Sequence, residues 1–190
     1  MRELLSKRVV ALAPSGIRKF FDIVSDIPDA ISLGVGEPDF DTPWHIREEG
    51  IRTLKDGKTF YSSNAGTPKL RRAISDYLKR SIQNTYDWQH EILVTVGGSE
   101  AIDLALRTIL NDGDEVICPE PCFVSYIPCI IMANGVPVRI PLREENEFRL
   151  TRGELEAAVT PKAKALLISF PNNPTGAVMS RGDLEAVAEV

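Results

Sequence analysis

The sequence has no long apolar run and no excess of basic charge. No stretch approaches the ~20 consecutive apolar residues that a membrane span needs, and the first residues lack the apolar core of a signal peptide. The net charge is −5 at pH 7, which argues against a surface that binds nucleic acid or an anionic membrane. We therefore expect a soluble cytoplasmic protein with neither nucleic acid nor membrane as a partner.

Cysteine and histidine are also scarce. Cys118, Cys122 and Cys129 lie in or near apolar segments, which favours buried free thiols in a reducing compartment over disulfide bonds. The only histidines, His45 and His90, are far apart in the sequence. A zinc site would need pairs of ligands at close spacing, so the sequence predicts no metal site.

Strand and helix patterns alternate from about residue 91 onwards. The predicted strands are "EILVTV", "DEVICP", "VPVRIPL" and "AKALLISF". Helices are predicted from Ser99, from a capping box at Thr151 and Glu154, and from "SRGDLEAVAEV", whereas Pro128 is expected to interrupt or kink the amphipathic segment after the second strand. The alternation predicts an α/β fold in which helices flank a mainly parallel sheet.

The first ninety residues have a different character. Residues 1–42 form an N-terminal arm and a loop, "LGVGEPDFDTP", and residues 43–90 form a helical segment with helices beginning near Pro43 and Pro68. Thr42 and Thr67 stand where N-caps are expected. Residues 91–190 are then the first part of the α/β domain, and "LEAVAEV" has neither cap nor breaker. We therefore expect a chain that is truncated within a helix.

Two segments have the composition of ligand-binding loops. In "TVGGSEAID" a strand ends, two glycines follow and a helix starts, so backbone N–H groups and the positive end of the helix dipole converge on one point. Taken alone, this segment favours Ser99 as a simple N-cap.

In the second segment, "SFPNNPTG", Pro171 and Pro174 stiffen the backbone around two asparagines after a strand expected to be fully buried. That loop predicts either a ligand site at the carboxyl end of the strand or an ordinary turn.

The order of six motifs extends these observations. "SGIRKF", "LGVGEPDFDTP", "YSSNAGTPKLR", "VTVGGSEAID", "DEVICPEPCFVSY" and "PNNPTG" together strongly resemble the class I/II aminotransferases, fold-type I enzymes that use pyridoxal 5'-phosphate. The resemblance spans nearly the whole chain. It implies the large-domain α/β fold of that type, an N-terminal arm, a homodimer, and transfer of an amino group from an amino acid to a 2-oxo acid in amino-acid metabolism.

The resemblance also implies roles for residues that would hold the cofactor. Asn173 is similar to the residue that donates a hydrogen bond to the phenolic oxygen of the cofactor, and Phe123 to the aromatic residue that stacks on its pyridine ring. Gly98, Ser99 and Glu100 are similar to the phosphate cup, with Glu100 contributing its backbone N–H. Without the resemblance, Phe123 is equally a core aromatic.

Three further residues acquire roles from the same resemblance. Tyr61 is similar to the tyrosine that reaches the cofactor phosphate of the partner subunit, although it could equally be a structural loop residue. Gly36 is similar to the glycine whose N–H approaches the substrate α-carboxylate. Ile17 lies in the arm that closes over substrate in such enzymes, although an exposed terminal segment fits it as well.

The catalytic centre itself is not expected within this chain. In the family, the lysine that forms the Schiff base with the cofactor, the aspartate at the pyridine nitrogen and the arginine for the substrate carboxylate all correspond to positions beyond Val190. These 190 residues alone are therefore expected to be inactive. Two alternatives stay open: another fold-type I enzyme (a C–S lyase, decarboxylase or synthase) and a non-catalytic aminotransferase-like binding domain.

Substrate preference has one indicator in the sequence. Some acid-preferring relatives carry a lysine where this chain has Ser99, which brings no charge to meet a distal carboxylate. We therefore expect aromatic or aliphatic amino donors with 2-oxoglutarate as acceptor, unless Arg18 or a residue beyond Val190 supplies the cation.

Overall fold

Residues 4–12, 36 and 38–190 are described by the computed structural model. The chain divides into two units, one made of Met1–Pro14 with Val96–Val190 and one made of Ser15–Thr95. In chain order the described elements are α1 (Lys7–Ala11), α2 (Trp44–Lys55), α3 (Pro68–Ile82), α4 (Gly98–Ile109), β1 (Glu115–Glu120), α5 (Tyr126–Met132), β2 (Val136–Pro141), a 3₁₀ turn at Glu144–Asn146, α6 (Arg152–Ala158), β3 (Ala163–Leu166) and α7 (Arg181–Ala188). The boundaries at residues 42 and 90 remain a prediction.

The described sheet has three parallel strands in the order β2-β1-β3. The register pairs Glu115 with Val136 on one side of β1 and with Ala163 on the other. Each strand is connected to the next through a helix, as parallel strands require. The structure therefore confirms the predicted α/β class and parallel sheet.

Alternate side chains of β1 enter two hydrophobic cores. Val116 and Cys118 belong to a core with side chains of α4 and α5, namely Leu106, Tyr126 and Ile130, and with Ala133 just after α5. Ile117 belongs to a second core with Ile140, Leu142, Leu150, Leu155 and Met179. Because successive strand side chains point to opposite faces, the central strand anchors helices on both sides of the sheet.

The last predicted strand is shorter and more exposed than expected. Only Ala163–Leu166 of "AKALLISF" is strand, and its residues are half-buried or exposed. The expectation of full burial is wrong because β3 lies at an edge of the described sheet, where only one side is paired. Leu167 N–H still donates to Ile117 O at 2.9 Å, so the chain stays beside β1 as it leaves the strand.

The first predicted strand, "EILVTV", is not a strand in the structure. Val94 N–H donates to Ala65 O at 3.1 Å, and Val96 is 92% exposed. A strand requires a neighbouring strand for its ladder, and this segment pairs with none of the three strands of the described sheet. Apolar composition alone therefore predicted a strand that the structure does not contain at these residues.

The predicted helix caps are observed at Thr67 and Thr151 and not at Thr42. Thr67 caps α3 by accepting from Leu70 N–H at 3.3 Å, and Thr151 and Glu154 form the expected capping box of α6. Thr42 was predicted wrongly, because Pro43 is itself the extended cap residue of α2 and places the first helical turn one residue later.

Pro128 does not interrupt its helix either. α5 begins at Tyr126, so Pro128 lies in the first turn. The N–H groups of a first turn have no acceptor within the helix, and a proline there removes no hydrogen bond. The predicted break is therefore wrong.

The three cysteines are free thiols. Cys118 Sγ lies 3.7 Å from Cys122 Sγ, which is a contact between thiols rather than a disulfide bond. Burial raises the pKa of all three thiols above the ordinary cysteine value, most strongly for Cys118 at the centre of β1. At neutral pH these groups are protonated and act as small apolar side chains.

The second unit is organised around one buried cation. Arg71 of α3 is 8% exposed and donates to the carbonyl oxygens of Gly66, Trp88 and Gln89, each at 3.2 Å. Its guanidinium also lies 5.3 Å from the ring centroid of Trp88. These contacts hold the segment after α3 and the turn before it against the same helix.

Gly66 is the point at which that turn is fixed. Its φ is +94°, and a Cβ built there would lie 2.6 Å from Val94 Cγ2. Only glycine combines that backbone conformation with so close an approach. The loop that carries Tyr61 is therefore held at its carboxyl end, while Tyr61 itself is fully exposed.

The described residues contain neither a helix that could span a membrane nor a metal-binding cluster. None of the helices over residues 4–12 and 38–190 combines the length and the apolar character that crossing a bilayer demands. Across the same residues, no three His, Cys, Asp or Glu side chains are grouped so that they could hold a metal ion.

Candidate functional site

The start of α4 leaves backbone N–H groups available to a ligand. Gly97 is the cap residue, with φ +87°, and no side chain caps the helix. The first N–H groups of the helix, on Gly98, Ser99 and Glu100, therefore have no acceptor within it. A Cβ built at Gly97 or Gly98 meets no atom of the described residues within 4 Å, so among these residues there is space in front of both glycines.

Ser99 is not the N-cap that its segment alone favours. The helix begins at Gly98, because Gly97 adopts a positive φ that ends the preceding extended segment. Ser99 is then the second helical residue, and its hydroxyl is exposed. The expectation of a simple cap is wrong, and the hydroxyl is available for another purpose.

The carboxylate of Glu100 turns back from the helix start. It accepts a hydrogen bond from Val96 N–H, on the chain that enters the helix. A carboxylate in a first turn is favoured by the helix dipole, and this one is occupied by the protein backbone. Glu100 can therefore offer its own N–H to an anion, as the sequence interpretation requires.

Phe123 lies in the loop between β1 and α5. Its ring is half-buried and meets the Tyr126 ring edge-on, with 5.8 Å between centroids and 75° between planes. The same ring packs against the core of Val116, Cys118 and Ile130. Phe123 is thus partly a core aromatic, and its exposed part is available to a flat ligand.

Asn172 is the buried, hydrogen-bonded residue of the loop after β3, and the sequence interpretation missed this role. Asn172 is 8% exposed, and its Oδ1 accepts from Thr175 N–H at 3.1 Å and from Thr175 Oγ1 at 2.8 Å. Backbone hydrogen bonds from Asn172 N–H to Ala177 O and from Gly176 N–H to Asn172 O, both 2.8 Å, close the loop. Composition identified two asparagines between prolines but could not tell which is buried.

Asn173 follows directly and takes no part in that network. It is exposed, and its side chain makes no hydrogen bond to any residue that the structure describes. An amide held on a fixed loop, with its donors unused, suits a ligand oxygen. The prolines stiffen this loop, and the hydrogen bonds of Asn172 hold it in addition.

Two hydrogen bonds join these three segments. Asn172 Nδ2 donates to Pro121 O at 3.2 Å, and the hydroxyls of Ser99 and Ser125 lie 3.0 Å apart. Because β1 and β3 are adjacent and parallel, the loops that follow them lie at the same edge of the sheet. We refer to residues 97–100, 121–125 and 171–176 together as the loop cluster.

The loop cluster combines three kinds of chemistry in one place. The helix start offers N–H groups to an anion, Phe123 offers a flat apolar face, and Asn173 offers a neutral donor. The lysines that the structure describes are all exposed and lie outside the cluster; Lys162 and Lys164 are at the amino end of β3, away from its ligand loop. The described residues therefore resemble a binding surface rather than a complete catalytic centre.

A family model described as aminotransferase class I and II matches residues 28–190. This chain belongs to the aminotransferase class I and II family. Members of the family depend on pyridoxal phosphate and act on amino acids and 2-oxo acids. The expected family and the fold-type I architecture are confirmed.

Individual relatives support the same assignment. The chain is 49% identical to aromatic-amino-acid aminotransferase 2 of Thermococcus litoralis, covering 97% of this chain and 48% of that protein. It is also 49% identical to an aspartate aminotransferase of Pyrococcus abyssi, again covering 97% of this chain and 48% of that protein. The chain thus spans about half the length of the curated relatives it matches.

A solved structure gives the matching fold. The crystal structure of an aromatic aminotransferase from Pyrococcus horikoshii OT3 superposes with a TM-score of 0.82 at 46% identity, over 91% of this chain and 46% of that one. The expectation that this chain corresponds to the N-terminal half of an aminotransferase is therefore confirmed.

The remaining residues with expected roles lie outside the loop cluster. Tyr61 and Gly36 belong to the second unit and are exposed, and a Cβ built on Gly36 meets no described atom within 4 Å. Ile17 and Arg18 lie outside the described residues. The roles of Tyr61, Gly36 and Ile17 remain predictions from the family.

Proposed function

We propose that this chain is the cofactor-binding half of an aminotransferase that transfers an amino group from an amino acid to a 2-oxo acid. The observation that carries the proposal is the loop cluster, which holds an uncapped helix start, a half-exposed aromatic ring and an amide with unused donors. Hydrogen bonds from neighbouring residues, Ser99 to Ser125 and Asn172 to Pro121, join the three segments that carry these features. These features fit the phosphate, the ring and the phenolic oxygen of pyridoxal phosphate.

The phosphate is assigned to the start of α4. The N–H groups of Gly98, Ser99 and Glu100 and the dipole of a twelve-residue helix favour a dianion there. The Glu100 carboxylate accepts a hydrogen bond from Val96 N–H, so its negative charge is held by the protein backbone and not at the phosphate position. The Ser99 hydroxyl adds a donor that can rotate towards a phosphate oxygen.

The ring is assigned to Phe123 and Asn173. When bound, pyridoxal phosphate supplies an electron-accepting ring for the bond changes at the substrate Cα. Phe123 orients that ring and excludes water from one face. Asn173 donates to the phenolic oxygen and so favours its ionised form.

We propose the remaining roles on family grounds. Tyr61 contacts the cofactor phosphate of the partner in a homodimer, and its full exposure in this chain is compatible with that contact. Gly36 binds the substrate carboxylate through its N–H, and Ile17 closes over the substrate. Three free thiols and the acidic charge balance support a cytoplasmic location.

Replacing Asn173 with alanine in the intact protein tests the cofactor assignment. Loss of a hydrogen bond to an ionised oxygen should weaken cofactor binding by about 1.5–3 kcal/mol, or about 10- to 150-fold in dissociation constant. The absorption change that reports phenol ionisation should move to higher pH, because the ionised form loses its donor.

Asn146→Ala is the matched control, since Asn146 lies in the 3₁₀ turn outside the loop cluster. Its cofactor affinity and pH profile should equal those of the unmodified protein. An Asn173→Ala protein with unchanged affinity and unchanged titration would make Asn173 a turn residue.

Donor preference tests the reaction itself. The loop cluster contains no lysine or arginine, so a distal carboxylate would lack a cation there and would be costly to bury. We expect phenylalanine and leucine to be used with 2-oxoglutarate at least as well as aspartate.

The measurement is kcat/KM of the intact enzyme for aspartate, phenylalanine, leucine and alanine, with glutamate formation as the readout. A preference for aspartate of about 100-fold, or about 2.7 kcal/mol, would require a cation elsewhere and contradict the inference from Ser99. Release of a thiol or carbon dioxide without any 2-oxo acid would instead indicate a lyase or decarboxylase.

A further inference from the structure

The pair of hydroxyls at Ser99 and Ser125 connects two parts of the loop cluster that are distant in sequence. Their oxygens are 3.0 Å apart. Ser125 precedes α5 in the cap position, yet its side chain makes no capping hydrogen bond to that helix. Its hydroxyl is therefore directed at Ser99 rather than at its own helix.

The chemistry of a hydroxyl fixes the direction that this contact must take when a phosphate is bound. A serine hydroxyl has one proton to donate and can accept further hydrogen bonds. A phosphate dianion offers only acceptors, so Ser99 must give its single proton to the phosphate. Ser99 can then take part in the pair only as acceptor, which leaves Ser125 as the donor.

We infer that Ser125 is a positioning residue that orients the hydroxyl of Ser99 towards the phosphate of the cofactor. The inference rests on the proposed function. When Ser125 donates to the Ser99 oxygen, a lone pair of that oxygen faces Ser125 and the Ser99 proton is turned towards the ligand. Hydrogen bonds linked in such a chain strengthen one another. Ser125 also lies two residues after Phe123, so the same contact ties the stacking residue to the phosphate site.

The test compares two ligands on the intact apoprotein. Dissociation constants are measured by equilibrium titration for pyridoxal phosphate and for pyridoxal, which lacks the phosphate. Ser125→Ala should weaken pyridoxal phosphate about 3- to 10-fold, as expected for one hydrogen bond, and leave pyridoxal unchanged. Ser99→Ala should lose at least as much as Ser125→Ala, because it removes a hydrogen bond to a charged group. The double variant should lose little more than Ser99→Ala, because both substitutions act on one linked interaction.

Two further variants separate positioning from general damage. Ser125→Thr keeps a hydroxyl and should restore the affinity for pyridoxal phosphate. Thr108→Ala removes a hydroxyl of α4 that donates to Leu104 O and should leave both affinities unchanged.

The outcomes distinguish the inference from the function on which it rests. Equal losses for both ligands, fully additive losses in the double variant, or no rescue by threonine would overturn the positioning role of Ser125 alone. An unmodified apoprotein that binds neither ligand would overturn the proposed function and this inference with it.

Discussion

Ile130→Ala is expected to lower the free energy of unfolding of the intact protein by about 2–5 kcal/mol. Ile130 is fully buried in α5 and packs with Val116, Cys118 and Leu106 in one core. The surrounding structure has little freedom to close the cavity, because Gly135 N–H also bonds to Ile130 O at 2.9 Å. Since α5 directly follows Ser125, the same change should loosen the loop of Phe123.

Chemical denaturation measures this effect, with two matched variants. Ile130→Val should cost only about 0.5–1.5 kcal/mol, since it removes one methylene. Ile109→Ala, at a position 42% exposed in α4, should change stability by about 0.5 kcal/mol or less. A loss at Ile109 as large as that at Ile130 would show that burial in this core does not decide stability.

The fold could be predicted where its cause is local. The capping box at Thr151 and Glu154, the cap at Thr67 and the strand "DEVICP" depend on residues within a few positions of one another, and the structure reproduces all three. The alternation of strands and helices then restricted the sheet to a parallel one. Short-range signals were sufficient for the architecture.

The errors occurred where distant parts of the chain decide the outcome. "EILVTV" has strand composition, but it pairs with none of the three strands of the described sheet. Ser99 has the composition of a cap, but the positive φ of Gly97 moves the helix start by one residue. Neither the choice of neighbouring strand nor a backbone angle can be seen in a hydrophobic pattern.

The residues of the candidate site also divide into those with a local sequence signal and those that depend on distant contacts. The resemblance predicts roles for Asn173, Phe123 and the α4 start, because each belongs to a recognisable short motif, and these roles remain predictions. It did not identify Asn172 or Ser125, whose partners lie 51 and 26 residues away in the sequence. Positioning residues act through such contacts, so they are found in the structure before they are found in the sequence.

Asn172→Ala should therefore be more damaging to the fold than Asn173→Ala, although the two residues are adjacent. Asn172 loses three side-chain hydrogen bonds, two from Thr175 and one to Pro121 O. At about 1 kcal/mol each, with partners left unsatisfied, the expected loss of unfolding free energy is about 2–4 kcal/mol. Asn173 is exposed, so its replacement should change stability by about 0.5 kcal/mol or less.

Stability is measured by denaturation of the two apoproteins, and cofactor affinity by titration with pyridoxal phosphate. The two variants should differ in which of these quantities they lose, and a general loss of folding cannot produce such a difference. Asn173→Ala should keep its stability and lose affinity for the cofactor, because it removes a ligand contact and leaves the loop intact. Asn172→Ala should lose both, because the loop that carries Asn173 is no longer joined to the loop that carries Phe123. Equal stability of the two variants would show that the prolines alone fix the loop, and that the buried amide of Asn172 contributes nothing to it.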